Sequence, residues 1–257
     1  MIVNGLIVAV AGSTGQQGGA VARRLLADGW TVRALTRDPT SPGARALANA
    51  GADVRAVDMA DPAALKPALD GAYGVFSVQP ASGVPGTPPD YSWQDEIAAG
   101  RNVADAAASA GVRHLVYASA NSAQLRSGIR ILENKWAIEE HIRELGISAT
   151  VLRPTSFMEN YLHPVWGLQD RTLTSALAPD IPQQLIALSD IGALTALALM
   201  EPDRLAGRAL ELAGDALTPP RSPRPSAALP GVRCPMSVCR WRRSASSARM
   251  PPRAMSG

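Results

Sequence analysis

The 257-residue chain is poor in cysteine, in uninterrupted apolar sequence and, towards its C-terminus, in acidic residues. Its two cysteines, Cys234 and Cys239, are too few for a disulfide framework, so we expect a reducing, cytoplasmic location. The longest apolar stretch near the C-terminus, Leu185 to Met200, is broken by polar residues and is too short to span a bilayer. Residues 1–11 lack the cationic start of a signal peptide. The sequence therefore predicts no membrane partner.

Acidic residues are absent after Asp215, and this absence divides the chain in two. Residues 1–215 hold all 22 acidic and 17 of the 25 basic residues, a net charge of −5, whereas residues 216–257 hold eight arginines, a net charge of +8. With 46% apolar residues overall, the chain can fill a core, which excludes wholesale disorder. We expect residues 1–215 to form a mildly acidic domain of enzyme size.

The tail, residues 216–257, is rich in proline and arginine and has almost no periodicity. One interpretation is disorder. A second is an aberrant C-terminus, because translation of GC-rich coding DNA in a shifted frame yields arginine, proline, serine and alanine without acids. A third is a basic arm for nucleic acid, but the arginines are scattered and Trp241 is its one aromatic residue, so nucleic acid is disfavoured as a partner.

Strands and helices alternate six times up to Pro154. The first strand, 6–11, is a continuous apolar run, as expected of a strand buried on both faces. Strict alternation forces parallel pairing with right-handed crossovers, so we predict an α/β fold with a doubly wound parallel sheet of the Rossmann type. Further strands are predicted at 31–36, 52–57, 75–78, 114–118 and 148–153, and helices after the first at 42–51, 61–69, 93–110 and 133–145.

The predicted domains follow from this pattern. Residues 1–154 form the dinucleotide-binding domain and 155–215 a small substrate lobe with a helix at 190–200 and a strand at 208–212. The irregular basic tail follows. Ligands of such sheets bind at the carboxyl ends of the strands.

The turn after the first strand reads Gly12-Ser13-Thr14-Gly15-Gln16-Gln17-Gly18. Glycines here permit a tight turn, the close approach of backbone amides to a pyrophosphate, and close packing of helix on strand. The free N–H groups and the dipole at the helix start then hold the anion. Because the motif opens a long series of strands and helices, it predicts dinucleotide binding rather than a plain glycine-rich turn.

The end of the second strand distinguishes between the two nicotinamide cofactors. A site for NAD places an acid about twenty residues beyond the glycines, where it accepts from the ribose 2′-OH. Here Arg37 occupies the strand tip, with the Thr36 hydroxyl beside it, and both suit a 2′-phosphate. Asp38 precedes a proline and is interpreted as a turn or cap residue. The predicted cofactor is NADP(H).

Asp58 and Met59 follow the third strand, where the adenine of a dinucleotide would lie. Asp58 could accept from the adenine amino group while Met59 packs on the ring. Equally, Asp58 could be a helix-entry acid, with Asp61 as the cap. Both interpretations stay open.

Four segments together resemble the NmrA-like family of atypical short-chain dehydrogenases/reductases: 12–19, 32–39, 135–139 and 152–160, with 212–215 similar to the family's late strand. The resemblance spans about residues 5–218. It implies NADP(H) binding at the glycine loop, at Arg37 and at Asp58-Met59. It also implies contacts from the following residues: Gln79, Pro80, Ala81, Lys135, Thr155 and Phe157. The family normally continues with further helices past the position of Thr218, and this chain does not.

Lys135 is the titratable group expected at the reaction end. It could hydrogen-bond the nicotinamide ribose or, as in related benzylic ether and isoflavone reductases, act as general acid/base; the alternative is a surface lysine pairing Glu139. Classical members of the superfamily have a tyrosine four residues before this lysine, where this chain has Ile131. Tyr117 and Tyr161 could approach the nicotinamide but lack that spacing.

Ser119 matches the superfamily's serine position and could bind a substrate carbonyl, or simply form a turn.

The three histidines show no metal-ligand spacing, and no nucleophile elbow or carboxylate pair supports hydrolysis.

These observations predict an NADPH-dependent oxidoreductase that transfers hydride to a small conjugated acceptor such as a quinone. The acceptor would lie between loops 79–92 and 155–166, against flat side chains: Trp93, Phe157, Tyr161 and Trp166. The alternative is a non-catalytic NADP(H)-binding redox sensor with a protein partner, which the missing tyrosine favours. A folded but inactive remnant is a third possibility.

Overall fold

The computed structural model describes residues 3–84, 87–162, 181–218 and 242–243. Residues 242 and 243 are described by their backbone alone. The chain divides into two units, Met1–Thr155 with Ala187–Leu212, and Ser156–Ile186 with Ala213–Gly257. The boundaries differ from the sequence-based division, which placed the helix at 190–200 and the strand at 208–212 in the substrate lobe. Of the predicted tail, residues 216–218 and 242–243 lie in strands, and the remainder lies outside the described residues.

The sheet of the first unit is parallel throughout, which confirms the predicted doubly wound Rossmann-type fold. Its spatial order is β3-β2-β1-β4-β5-β6-β9. The strands are β1 (Ile7–Ala11), β2 (Thr31–Thr36), β3 (Asp53–Ala56), β4 (Gly74–Ser77), β5 (His114–Ala118), β6 (Ala149–Pro154) and β9 (Ala209–Leu212). The strand order reverses between β1 and β4, and in such sheets ligands bind at the carboxyl ends beside that reversal.

Seven α-helices are described: α1 (Gln16–Ala27), α2 (Pro42–Asn49), α3 (Pro62–Leu69), α4 (Trp93–Ser109), α5 (Arg130–Glu144), α6 (Leu188–Met200) and α7 (Pro202–Leu205). Local sequence explains where several begin. Asp61 caps α3 by accepting from Ala63 N at 3.0 Å, as predicted. Ser92 and Asp95 form a capping box at the start of α4. None of the helices in the described residues is long and apolar enough to cross a bilayer.

Two elements of the first unit come from the late part of the sequence. Strand β9 pairs with β6 and extends the sheet by one strand, with Leu210 opposite Leu152. Helix α6 packs against α1, where a Cβ on Gly192 would lie 3.1 Å from the Cβ of Arg24. These contacts explain why residues 187–212 belong with the sheet rather than with a lobe.

The second unit is built on a small sheet in the order β11-β10-β8-β7. Its strands are β7 (Ser156–Phe157), β8 (Gln183–Ile186), β10 (Asp215–Thr218) and β11 (Arg242–Arg243). β7 and β8 are parallel, and β10 pairs antiparallel with both β8 and β11. The sequence pattern did not predict these four short strands, which lie after Pro154, where the regular alternation of strands and helices ends.

Candidate functional site

Two glycines after β1, Gly12 and Gly18, are required by backbone conformation or by close packing within the protein. Gly12 has a φ of +76°, which side-chain-bearing residues rarely adopt. A Cβ there would also lie 2.5 Å from the carbonyl oxygen of Val78, beyond the end of β4. A Cβ on Gly18 would lie 2.7 Å from the carbonyl carbon of Gly12 and would overlap its oxygen. Gly12 thus allows the turn to pass close to the end of β4, and Gly18 allows α1 to pack closely against the turn.

Gly15 is different, because neither its backbone nor its neighbours require glycine. It is exposed, its φ is −80°, and a Cβ would meet its nearest neighbour, the Gly12 carbonyl oxygen, at 3.4 Å, an ordinary contact. It is the N-cap of α1 and makes no side-chain cap, and the first turn of α1 contains no acid. The amides and positive dipole end of α1 are therefore left open to an anion. A pyrophosphate resting on this turn would need the space that a Cβ would fill.

The other residues of the motif have distinct environments. Ser13 is buried, and its hydroxyl donates to the Leu35 carbonyl at 2.8 Å, which ties the turn to β2. Thr14 and Gln16 are exposed at the turn. Gln17 Oε1 is buried with no hydrogen-bond partner among the described residues. The contribution of Ser13 to the site is therefore to hold the turn, since its hydroxyl is already engaged.

Arg37 follows β2, at the same edge of the sheet as the glycine turn. It is exposed and has no ion pair or hydrogen bond to another described residue. Thr36 is buried, with its hydroxyl 3.3 Å from the amide of Asp38. Asp38 accepts from the Thr40 hydroxyl at 2.6 Å and from its amide at 2.8 Å, and these bonds lower the Asp38 pKa. Asp38 is thus a turn residue, as predicted, and Arg37 is the cation left available.

Asp58 and Met59 connect β3 to α3. The Asp58 carboxylate accepts from the amide of Ala60 at 2.9 Å and is exposed, so the structure supports its role in the entry to α3. Met59 is partly buried, and its sulfur lies 3.8 Å from Gln79 Nε2. Gln79 also donates to the Ser77 hydroxyl at 2.8 Å, while its Oε1 is buried with no hydrogen-bond partner in the described chain. The structure therefore brings together the predicted residues of the loops after β3 and β4.

Tyr91 was not predicted as a site residue. Its hydroxyl is buried and makes no hydrogen bond within the described ranges. Burial raises the Tyr91 pKa, the charges of Glu96 and Asp95 add to the effect, and that of Arg37 opposes it. Tyr91 thus lies within electrostatic reach of Arg37. The sequence offered one signal, its position just before the capping box that opens α4.

Lys135 is buried and paired with a residue that the sequence did not suggest. Its Nζ lies 2.9 Å from Oε1 of Glu96, and the side chains are 8% and 0% exposed. Asn134 Nδ2 donates to the other Glu96 oxygen, also at 2.9 Å. The interpretation of Lys135 as a surface lysine pairing Glu139 is therefore wrong, because α5 turns this side chain inward towards α4.

Glu139 instead belongs to a second buried network. It accepts from the Ser119 hydroxyl at 2.5 Å and from Arg153 Nη2 at 2.6 Å. Arg153 also contacts Glu211 at 3.1 Å, which connects β6 with β9. The hydroxyl of Ser119 thus donates to Glu139, which does not favour its predicted contact with a substrate carbonyl.

Tyr117 is fully buried in β5, and burial raises its pKa well above the ordinary value. The expectation that it could approach a nicotinamide is therefore not met in this structure. Thr155 follows β6, and its hydroxyl donates to the Leu212 carbonyl at 3.1 Å. Pro80 and Ala81 follow Gln79 and are half-buried. Phe157 lies in β7 of the second unit.

The remaining predicted residues divide between the second unit and the part of the chain outside the description. Tyr161 lies in the second unit, where its hydroxyl bonds Gln183 Oε1 at 2.5 Å. Trp166 lies outside the described residues. Among the described residues no group of three or more His, Cys, Asp and Glu side chains could hold a metal ion.

The strand order and the open start of α1 define a Rossmann-type α/β protein. Residues 6–221 match the NmrA-like family, so the chain belongs to that family. This confirms the resemblance found in the sequence.

Relatives of known name support the assignment. The chain is 37% identical over 176 residues to the NmrA-like family domain-containing oxidoreductase FrzB of Cladobotryum sp, covering 63% of this chain and 51% of that protein. It is 33% identical over 194 residues to a Streptomyces griseus (4-alkanoyl-5-oxo-2,5-dihydrofuran-3-yl)methyl phosphate reductase, covering 75% of this chain and 63% of that protein. The chain thus spans about half the length of the fungal relative and less than two thirds of the bacterial one.

Solved structures show the same fold. A mutant of NmrA superposes with a TM-score of 0.71 at 25% identity, covering 83% of this chain and 68% of that chain. The Escherichia coli NADPH-dependent quinone oxidoreductase QOR2, solved with NADPH, superposes with a TM-score of 0.66 at 29% identity, covering 81% and 70%.

Proposed function

We propose that this protein is an NADPH-dependent oxidoreductase that reduces a small conjugated acceptor such as a quinone. The observation that carries the cofactor assignment is Gly15, a glycine that neither backbone strain nor internal packing requires, at the open start of α1. Its missing side chain leaves room for a diphosphate against the helix amides. Arg37, exposed and without a partner among the described residues, is suited to the 2′-phosphate of NADPH.

Support for the acceptor class comes from the relatives. QOR2 is named as a quinone oxidoreductase. The substrate in the name of the Streptomyces griseus reductase carries a ring double bond conjugated to a carbonyl group. In both compound classes a hydride can add at one end of the conjugated system while a proton neutralises the oxygen or carbon at the other. A bound nicotinamide supplies the hydride.

The residues of this chain have three tasks in the proposal. The start of α1 holds the diphosphate, and Arg37 holds the 2′-phosphate. Lys135, an ammonium group in a buried setting, orients the nicotinamide ribose or supplies the proton that accompanies the hydride. The hydroxyls of Ser119 and Tyr117 have no assigned step, since the first bonds Glu139 and the second is enclosed.

The test combines cofactor binding with turnover. Calorimetry should show binding of NADPH, and a panel of quinones and conjugated lactones should consume it in a spectrophotometric assay. The matched variant is Gly15→Ser, because serine is at least as good an N-cap as glycine and also occupies the space and the amides reserved for the anion. We expect Gly15→Ser to keep its stability within about 0.5 kcal/mol and to lose at least about tenfold in NADPH affinity. Unaltered affinity in this variant would remove the assignment.

The second candidate is a non-catalytic NADP(H)-binding sensor. Ile131 favours it, since this residue occupies the position of the classical tyrosine. Binding of both redox forms without turnover of any acceptor would select the sensor. No binding, and no stabilisation by NADPH on heating, would indicate an inactive remnant.

A further inference from the structure

Glu96 and Lys135 form a buried ion pair between two helices of the first unit. Glu96 lies in the first turn of α4 and Lys135 in the second turn of α5, with 2.9 Å between Oε1 and Nζ. Glu96 is wholly buried. Removing two charges from water is costly unless their geometry and hydrogen bonds compensate. A pair of this kind needs a reason beyond general stability.

The Glu96 carboxylate is fixed independently of the lysine. Its second oxygen accepts from Asn134 Nδ2 at 2.9 Å. The capping box at Ser92 fixes the start of α4. Further along, α4 and α5 are in close contact, since a Cβ on Gly100 would lie 2.5 Å from Cδ1 of Ile138. The two helices are therefore closely packed at this point, and the carboxylate offers a fixed point to the lysine.

Among the described residues, Glu96 is the carboxylate that pairs with Lys135, because the other nearby groups are engaged elsewhere or neutral. Glu139 of the same helix bonds Ser119 and Arg153. The phenols of Tyr91 and Tyr117 have raised pKa values, with burial as the main cause and the Glu96 charge as the next, so both are neutral. Among the described residues Lys135 has no other ion-pair partner.

We propose that Glu96 is the positioning residue for Lys135: anchored by Asn134, its carboxylate fixes where the terminal amino group of the lysine can reach. The role of that ammonium group in the reaction rests on the proposed function. The geometry of the pair does not.

The chain offers an unusually direct measurement, because Lys66 and Lys135 are its only lysines. Lys66 is exposed on α3 and serves as an internal reference. The experiment is competitive acetylation with acetic anhydride across a pH series, with both lysines followed by peptide mass spectrometry. In the unmodified sequence we expect Lys135 to react at least about tenfold more slowly than Lys66. Comparable rates for the two lysines would overturn the proposal.

Glu96→Gln removes the charge and keeps the shape. We expect the reactivity of Lys135 to rise at least about fivefold, because its amino group is no longer held by a carboxylate, with Lys66 unaffected. Glu96→Asp retains the charge and should restore much of the original profile, which a purely structural role would not predict. The control is Glu140→Gln on α5, the helix of Lys135; it removes a partly exposed partner of Arg126 and should change neither lysine.

Asn134→Ala provides a second route if Glu96→Gln does not fold, since it keeps the charge and removes only its anchor. It should raise Lys135 reactivity about twofold or more. An unchanged labelling profile in the variants that fold would refute the positioning role. If the enzyme turns over, Glu96→Gln should lower the rate at least about tenfold while Glu140→Gln does not, and equal rates would also refute the role. If no turnover is found, the proposed function fails but the labelling still decides whether Glu96 positions Lys135.

Discussion

The Nε2 nitrogen of His114 lies 2.9 Å from the hydroxyl oxygen of Thr150, on the neighbouring strand β6. The Thr150 hydroxyl donates to the Leu205 carbonyl at 2.8 Å, so it must accept from the imidazole, which places the ring proton on Nε2. Nδ1 then accepts from Ser148, 2.8 Å away. This arrangement satisfies a neutral histidine, and burial lowers its pKa from 6.5 to about 4.

The first prediction concerns stability in acid. Because the folded-state pKa of His114 is depressed, its contribution is present above pH 6.5 and is lost as the pH falls towards about 4. The loss should reach about 3 kcal/mol at the acidic end. His114→Gln, which can still donate and accept, should make the free energy of unfolding less dependent on pH in this window.

The measurement is urea denaturation between pH 7 and about 4. His141→Gln is the control, since that imidazole is only partly buried and pairs with exposed Asp105 at 2.7 Å. It should keep the acid-dependent loss. Equal pH dependence in His114→Gln and the unmodified chain would show that His114 is not the group responsible.

The second prediction concerns Gly18. A Cβ at this position would meet the backbone of Gly12, at 2.7 Å from its carbonyl carbon, and backbone cannot move aside as a flexible side chain can. Gly18→Ala should therefore destabilise the protein by about 1–3 kcal/mol, despite the better helix propensity of alanine. Gly19→Ala is the matched control on the same helix, because its closest neighbours, the Arg23 side chain and the Ser13 carbonyl oxygen, both lie farther away, at 3.3 Å. Thermal or urea unfolding compares the two, and equal stabilities would contradict the packing argument.

Much of the fold could be predicted because its signals are local. A continuous apolar run identified β1. Asp61 marked the start of α3, and the alternation of strands and helices implied a parallel sheet. The placement of β9 beside β6 could not be predicted, although a strand was predicted at 208–212. A sheet partner distant in sequence is decided by which edge remains open, and no local pattern reports that.

The candidate site likewise has a part that the sequence predicted and a part that it did not. The glycine turn and Arg37 were found because their chemistry is contained in short segments. The Glu96–Lys135 pair was missed because helical periodicity indicates which side of α5 faces inward but not which residue of α4 it meets. Local spacing suggested Glu139 as the partner, and the packing of the two helices favours Glu96.

The third prediction concerns cofactor choice. Arg37 is exposed and has no partner among the described residues, so its removal should cost little stability. If its guanidinium holds a 2′-phosphate, Arg37→Ala should weaken NADPH about 10- to 100-fold and leave NADH unchanged. Calorimetry with both nucleotides measures this directly. Arg45→Ala is the control, since this nearby arginine already donates to the Thr40 carbonyl at 2.6 Å. Equal affinities of the unmodified protein for NADH and NADPH would exclude the assigned role of Arg37.

The fourth prediction concerns the energetics of the buried pair. Lys135→Met leaves the charge of Glu96 buried without its partner, and we expect a loss of about 3–5 kcal/mol in the free energy of unfolding. The double variant Lys135→Met with Glu96→Gln removes both charges and should recover at least about 2 kcal/mol of that loss. Lys66→Met, at an exposed position, should change stability by less than about 0.5 kcal/mol. Urea denaturation of the unmodified protein, Lys135→Met, Glu96→Gln and the double variant completes the cycle, with Lys66→Met measured beside them. If the double variant were less stable than Lys135→Met alone, the two charges would not be coupled, because removing the stranded carboxylate would have brought no relief.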